Sequence, residues 1–322
     1  MKKRSKLMMA ITTVFALVFT LTACGGFKKD SAVKKYSRDT TSGTREGFFE
    51  KIGYKEAQKD NTKIPGAVIV ASNGAMLESI AGDEYGIGYV SLASVTTKVK
   101  ALEFDGVKPT EANVLSGDYK LTRNFNYIRR ADDDMSDTEK VLVKGFLLYM
   151  NSKEGLAIVK SKDGIVSSEK LDAAKKWSVI VEEADNADVK AACQNTTKTT
   201  IFLGGSTSVQ GIATKLTEAF ANVCSSFTAN HNHTGSGDAY KRTQGSEKDS
   251  QNKLHIGFLS RDIKLGTEAS PGEEPAAKNT YGTICIDGIA IIVNKANPIK
   301  GITKANAKTV YSTENIKWSD VK

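Results

Sequence analysis

Histidine and cysteine are scarce in this chain, at three and four residues among 322. With so few histidines, no convincing nucleophile, base and orienter set can be assembled, and the serines that open helices have no histidine placed to activate them. His231 and His233 alternate along an expected strand and so face one side, with His255 the third. Zinc would need further ligands in proper geometry, and solvent-facing strand histidines are the plainer reading. Asp132-Asp133-Asp134 lacks the spacing of a calcium loop and reads as a solvated turn before a helix. Cationic stripes are lacking as well. The net charge is +8, but the basic residues are scattered, so no nucleic-acid partner is required. Internal repeats and long low-complexity segments are also missing.

The first 23 residues stand apart. Lys2, Lys3, Arg4 and Lys6 precede an apolar run from Leu7 to Leu21, closed by Thr22-Ala23-Cys24-Gly25. Small residues end the run early, which predicts a secretory signal rather than a membrane-spanning helix. The Leu-Thr-Ala-Cys ending resembles a bacterial lipobox, which implies that Cys24 becomes the lipidated first residue of the mature chain, with residues 24–29 as a tether. An ordinary signal with a stray cysteine is the alternative. Removing those four cations lowers the +8 charge to about +4, a mild excess that would help attract an anion. Of the other cysteines, Cys285 lies in an apolar run and reads as a buried thiol. An odd set of three argues against a disulfide framework, while Cys193 and Cys224 could pair in an exported protein; the sequence leaves that open.

The remaining chain alternates strand and helix patterns, which predicts an α/β fold with largely parallel sheets. A strand is expected at 30–36, a helix at 44–52 with Phe48, Phe49 and Ile52 on one face and Gly53 as its stop, and a further helix at 137–152. Residues 167–199 are charged and read mainly as an irregular connector. A second start follows: a strand, a Gly-rich turn, and a helix in which Val209, Ile212, Ala213, Leu216, Ala219 and Phe220 keep the 3.6-residue period.

Three turns share one design: Ser42-Gly43-Thr44, Gly205-Ser206-Thr207-Ser208 and Gly235-Ser236-Gly237. Each follows an expected strand and opens an expected helix, though the third helix, 238–252, has almost no apolar face. Helix N-termini offer unpaired backbone N–H groups and a positive partial charge. Glycine allows close approach of the backbone, and Ser or Thr adds a hydroxyl donor. Taken singly, each turn is an ordinary N-cap. Several such ends aimed at one point, with the planar fork of Arg38 added, would make a pocket for a small tetrahedral anion.

These segments resemble the phosphate-binding proteins of ABC importers. The likeness rests on "SRDTTSGTREGFFE", "SNGAMLESIAGDEYGIGYVSL", "VKALEFDGVKPTEANVLSGDYKLTRNFNYI", "GGSTSVQGIATKLTEAF" and "CIDGIAIIVNKANPIKGIT", and together these cover most of the mature chain. The resemblance implies a two-lobed, periplasmic-binding-protein-like (type II) α/β fold with an anion in the cleft. It implies no cofactor, and ligands from Arg38, Ser42, Gly43 and Thr44 on one lobe and Thr207, Ser208, Ser236 and Ser260 on the other. Partners would be inorganic phosphate, importer permease subunits, and the membrane through the lipid anchor only. The segments run in a circularly permuted order, since the family begins with the Gly-Ser-Thr-Ser segment. One lobe is therefore expected at 30–88 with 293–322 and the other at 91–290, with crossings near 88–90 and 289–293. Some family members carry carboxylates where Ser260 and Thr40 stand here; Asp39, Asp238 and Asp262 are the nearby candidates to replace such an acceptor. The function expected is capture and delivery of phosphate without bond-making. A surface adhesion or signalling protein that kept the fold is the alternative, and a phosphatase-like enzyme a third.

Overall fold

Two sets of parallel strands, one from each part of the chain, meet on a pair of antiparallel strands to form one mixed sheet. The computed structural model describes residues 26–263 and 279–321. The expected signal segment and Cys24 lie outside the described residues. In chain order come β1 (Lys34–Arg38), α1 (Gly43–Lys51), β2 (Val68–Val70), α2 (Asn73–Ala81), β3 (Gly86–Ser91), β4 (Val99–Ala101), β5 (Glu103–Phe104) and α3 (Glu111–Leu115). β6 (Thr122–Arg129) leads into α4 (Asp137–Met150), α5 (Lys153–Ser161), α6 (Ser168–Ala173), α7 (Trp177–Ile180) and α8 (Ala187–Gln194). The second alternation is β7 (Thr199–Gly205), α9 (Gln210–Ala221), β8 (Phe227–Asn232), α10 (Gly237–Thr243) and β9 (Ile256–Leu259). It is followed by β10 (Tyr281–Asn294), β11 (Gly301–Ile302) and α11 (Lys304–Ser312).

Among the described residues the sheet runs β2-β1-β3-β10-β6-β9-β7-β8, with β4 also on β10. β1 is parallel to β2 and β3, and β7 is parallel to β8 and β9. Such pairs require crossover connections, which α1, α2, α9 and α10 supply. β10 pairs antiparallel with β6 through Tyr281–Gly288 and with β3 through Ile289–Val293, so one strand belongs to both halves.

The sheet is shared but the apolar cores are separate. One gathers Phe48, Phe49, Tyr89, Ile291, Tyr311 and Trp318, with Phe48 stacked on Tyr89 at 4.1 Å. The other gathers Phe146, Trp177, Leu203, Phe220, Phe227 and Phe258. Both tryptophans are therefore packing residues. The chain's two ends meet in the first half, where Val33 N–H donates to the Ile316 carbonyl at 2.8 Å.

Four features differ from the sequence reading. Residues 99–121 were expected in the second lobe, yet Leu102, Phe104, Val114, Tyr119 and Leu121 are buried with Phe48 and Tyr89. The chain thus enters the second half at β6 rather than at 88–90; periodicity shows which face is apolar, not which core it joins. Residues 167–199 form α6, α7 and α8, and Trp177, Ile180, Val189 and Cys193 are buried while the charges face outward. The helix expected at 238–252 is confined to α10, in keeping with its missing apolar face. The helix expected to run to Ser152 ends at Met150, because Ser152 instead caps α5 by accepting from Gly155 N–H. The question left open by the sequence is also answered: Cys193 and Cys224 are joined as a disulfide, while Cys285 is a buried free thiol.

Candidate functional site

The carboxyl end of β1 delivers Arg38 and then the Ser42-Gly43-Thr44 turn. Ser42 is the N-cap of α1, its hydroxyl accepting from Arg45 N–H at 3.3 Å, so the capping reading holds for this residue. It does not hold for the other two turns. Val209 caps α9 without a side-chain bond, and the Ser236 hydroxyl makes no cap bond to α10. The hydroxyls of Thr207, Ser208 and Ser236 are left for other partners.

For Thr207 and Ser208 those partners come from the end of β1 and the start of α1, and for Ser236 from just past the end of β9. Arg38 Nη2 donates to Thr207 Oγ1 at 3.2 Å. Thr44 Oγ1 and Ser208 Oγ are 2.9 Å apart. Ser236 Oγ lies 3.2 Å from Ser260 Oγ and accepts from Ser260 N–H at 3.0 Å. Gly43 fits between them: a Cβ there would come within 2.5 Å of Ser236 Oγ and 2.9 Å of Ser260 Oγ. Gly235, at φ +150°, lets the third turn lie against Thr41, whose carbonyl accepts from Gly237 N–H at 3.0 Å. The eight residues singled out in the sequence therefore share one place, and all but Thr207 are buried.

The electrostatics there are lopsided. Arg38 is 1% exposed and donates to Asn73 Oδ1 and the Ala71 carbonyl, but its Nε has no partner. The nearest carboxylate is that of Asp39, 3.8 Å from Nη2, and its buried Oδ2 accepts no hydrogen bond. Burial pushes the guanidinium's pKa down; Asp39 and Tyr89 oppose this and Arg123 adds to it. A buried cation without a bonded counter-charge is costly, and the cost falls when an anion arrives. Of the other carboxylates considered, Asp262 bonds Asn124 and Asp238 bonds Thr234, so only Asp39 stands beside Arg38.

The sequence reading missed the floor of the site. Arg123 on β6 sends Nε and Nη2 to Asp287 Oδ2 on β10 at 2.9 and 2.8 Å, Nη1 to the Ser260 carbonyl, and Nη2 to Ser208 Oγ at 3.2 Å. Asp287 is fully buried and also accepts from Ser91 Oγ at 2.8 Å. Burial pulls both Arg123 and Asp287 toward their neutral forms, and their mutual attraction resists it. The signal was present: Asp287 is a lone carboxylate in the run "CIDGIAIIV", and Arg123 shares a strand face with Phe125. Two isolated opposite charges on buried strands call for each other. Asn73, at the start of α2, gave no such signal.

Comparison with known proteins places the chain in a family. A family model described as the PBP superfamily domain matches residues 190–322. "Phosphate-binding protein PstS 2" of Streptococcus pneumoniae is 30% identical over 98% of this chain and 99% of its own length. The chain belongs to the PstS family of phosphate-binding proteins. The protein of the same name from Streptococcus agalactiae is 27% identical over 100% of this chain and 99% of its own. A crystal structure described as a phosphate ABC transporter, phosphate-binding protein from Streptococcus pneumoniae superposes with a TM-score of 0.61. It is 27% identical and covers 91% of this chain and 100% of that one. The fold is accordingly the two-lobed periplasmic-binding-protein architecture.

Against this PstS framework the histidines find a structural role. Among the described residues no group of three or more His, Cys, Asp or Glu could hold a metal ion. His231 and His233 are half-buried rather than solvent-facing. His233 Nδ1 is 2.9 Å from the Ser206 carbonyl, which can only accept, so Nδ1 carries the proton and Nε2 accepts from His231 Nδ1 at 3.1 Å. The pair thus braces the Gly205–Ser208 turn. His255 bridges Phe202 N–H and Glu139.

Burial lowers the pKa of His233 to about 4. It stays neutral in the folded protein at pH values where the unfolded chain, near 6.5, already takes up a proton. Stability should therefore fall as pH drops from 6.5 to about 4, by roughly 3 kcal/mol, and gain no further loss from this group below that. His233→Asn should flatten that part of the profile, read as the urea midpoint against pH.

Proposed function

We propose that this chain captures inorganic phosphate between its lobes and delivers it to an ABC importer, making and breaking no bonds. The observation that carries the reading is Arg38: a buried guanidinium with an unpartnered Nε that meets the Thr207 hydroxyl, in a site where Thr44 meets Ser208 and Ser236 meets Ser260. The ligands would be Arg38, Ser42, Gly43 and Thr44 from one lobe and Thr207, Ser208, Ser236 and Ser260 from the other. Asp39 Oδ2 would accept the proton of hydrogen phosphate, which fully ionised sulfate cannot offer.

The packing supports a first lobe of 30–121 with 289–321 and a second of 122–288, hinged where β10 changes partners and where β6 begins. Closure of the lobes would present one surface to the permease. We also read the order of segments as a circular permutation within the family. The joined ends, bridged at Ala32 and Lys317, are what a former loop would leave when opened. The alignments run the full length of the relatives, so they would share this order. Among the described residues no helix is long and apolar enough to cross a membrane. An extracytoplasmic protein held by lipid on Cys24 fits the leader sequence.

Titration calorimetry with phosphate and then sulfate tests the function. Micromolar or tighter phosphate binding, with sulfate at least tenfold weaker, is expected. Absence of heat with both anions would instead favour an adhesion or signalling role.

A further inference from the structure

Ser208 has more hydrogen-bond donors aimed at it than its neighbours, and their chemistry fixes its proton. A hydroxyl offers two lone pairs and one hydrogen. Arg123 Nη2 donates to Ser208 Oγ at 3.2 Å, and a guanidinium can only donate. Asn73 Nδ2 donates to the same oxygen at 3.0 Å. The orientation of the Asn73 amide is not free either. Arg38 Nη1 donates to Asn73 Oδ1 at 3.0 Å, which requires the oxygen on that side and leaves the NH2 group for Ser208 and for Ser94 Oγ at 3.3 Å. Both lone pairs of Ser208 are therefore occupied. Its hydrogen must go out to the remaining neighbour, Thr44 Oγ1 at 2.9 Å, or to an anion beside it. If Thr44 accepts, its own hydrogen is released toward the anion.

We propose that Asn73 and Arg123 are positioning residues that lock the Ser208 hydroxyl as a donor, with Arg38 setting the Asn73 amide. The inference rests on the phosphate reading of the site. Asn73 opens α2 in the first lobe, while Ser208 precedes α9 in the second. The lock is therefore completed only when the lobes meet: the closed form presents hydroxyl hydrogens, and the open form leaves one lone pair of Ser208 without its Asn73 donor. Arg123 holds its share of the lock in either form, because it is fastened to Asp287 and the Ser260 carbonyl. A site of fixed donors suits a ligand of bare, charged oxygens, with Asp39 Oδ2 as the acceptor for a single ligand proton.

A double-mutant cycle tests this, with binding of inorganic phosphate read by calorimetry. Asn73→Ala and Ser208→Ala should each weaken binding about tenfold, and the double variant should be no more than about twofold weaker than the worse single. Losses that multiply in the double variant, or a Ser208→Ala protein that binds like wild type, would overturn the proposal. Should Asn73→Ala fail to fold, Asn73→Asp keeps the Oδ1 acceptor for Arg38 and replaces the amide donor with an acceptor. Its loss should shrink severalfold in the Ser208→Ala background; an equal loss in both backgrounds would mean simple charge repulsion and refute the lock. A wild-type protein that binds no phosphate would overturn the functional reading and this inference together, whereas tight binding with multiplicative losses overturns the inference alone.

Discussion

Arg38→Ala is expected to weaken phosphate binding by roughly a hundredfold while leaving the ligand-free protein about as stable as before. The two halves of that expectation have one cause. The guanidinium is buried, its Nε is unpartnered, and Asp39 is too far for a good hydrogen bond. Its burial cost is set against three neutral acceptors: Asn73, Ala71 and Thr207. Truncation removes that cost along with the bonds, so the net change in stability is small. The loss in binding is not offset in this way, because truncating a buried, hydrogen-bonded charge across from an opposite charge costs about 2–5 kcal/mol, and each 1.4 kcal/mol is tenfold in affinity. Thermal melts with and without phosphate separate the two effects. Millimolar phosphate should raise the midpoint of the wild type by mass action and raise that of the variant by much less. An unchanged affinity would remove Arg38 from the site.

Asp287→Ala should do the opposite, harming the fold more than any other single change at the cleft. The carboxylate is fully buried, takes two bonds from Arg123 and one from Ser91, and joins β10 to β6 and to the end of β3. Its removal strands Arg123 as an uncompensated cation in the floor of the cleft. Breaking such a pair from one side costs about 3–5 kcal/mol, enough in a chain of this size to lower the melting midpoint by roughly 10 °C. Replacing both partners, with Arg123→Met beside Asp287→Leu, should recover part of the loss, since apolar groups of similar volume need no counter-charge. A midpoint within 2 °C of wild type for Asp287→Ala would show that the pair does not hold the hinge strands together.

The legible parts of this protein were local. Ser42-Gly43-Thr44, Gly205 to Ser208 and Gly235-Ser236-Gly237 were visible because turn chemistry is written in three or four consecutive residues. The helix at Asp137 was visible through the spacing of its apolar residues, and the structure adds a capping box of Ser136 and Glu139 that was not read from the sequence. The illegible parts were those in which distant partners decide the outcome. Residues 167–199 read as a charged connector because each of the helices α6, α7 and α8 is short and buries two residues or none; α7 and α8 pack on α4 and α6 packs on α5, not on one another. Leu102, Phe104 and Tyr119 were assigned to the wrong core because an apolar residue carries no address. Arg123 and Asp287 each carried half of a signal, 164 residues apart.

By itself the sequence determined the α/β class and marked the three Ser- and Gly-bearing turns and Arg38, since backbone conformation, helix ends and charge are properties of short stretches. Only the tertiary structure decided that the turns face one another, that Asn73 and Arg123 stand behind Ser208, and that β10 serves both lobes. Those are facts of registry between strands and of packing across a cleft, where the energy depends on which groups are brought into contact rather than on which residues are neighbours in the chain.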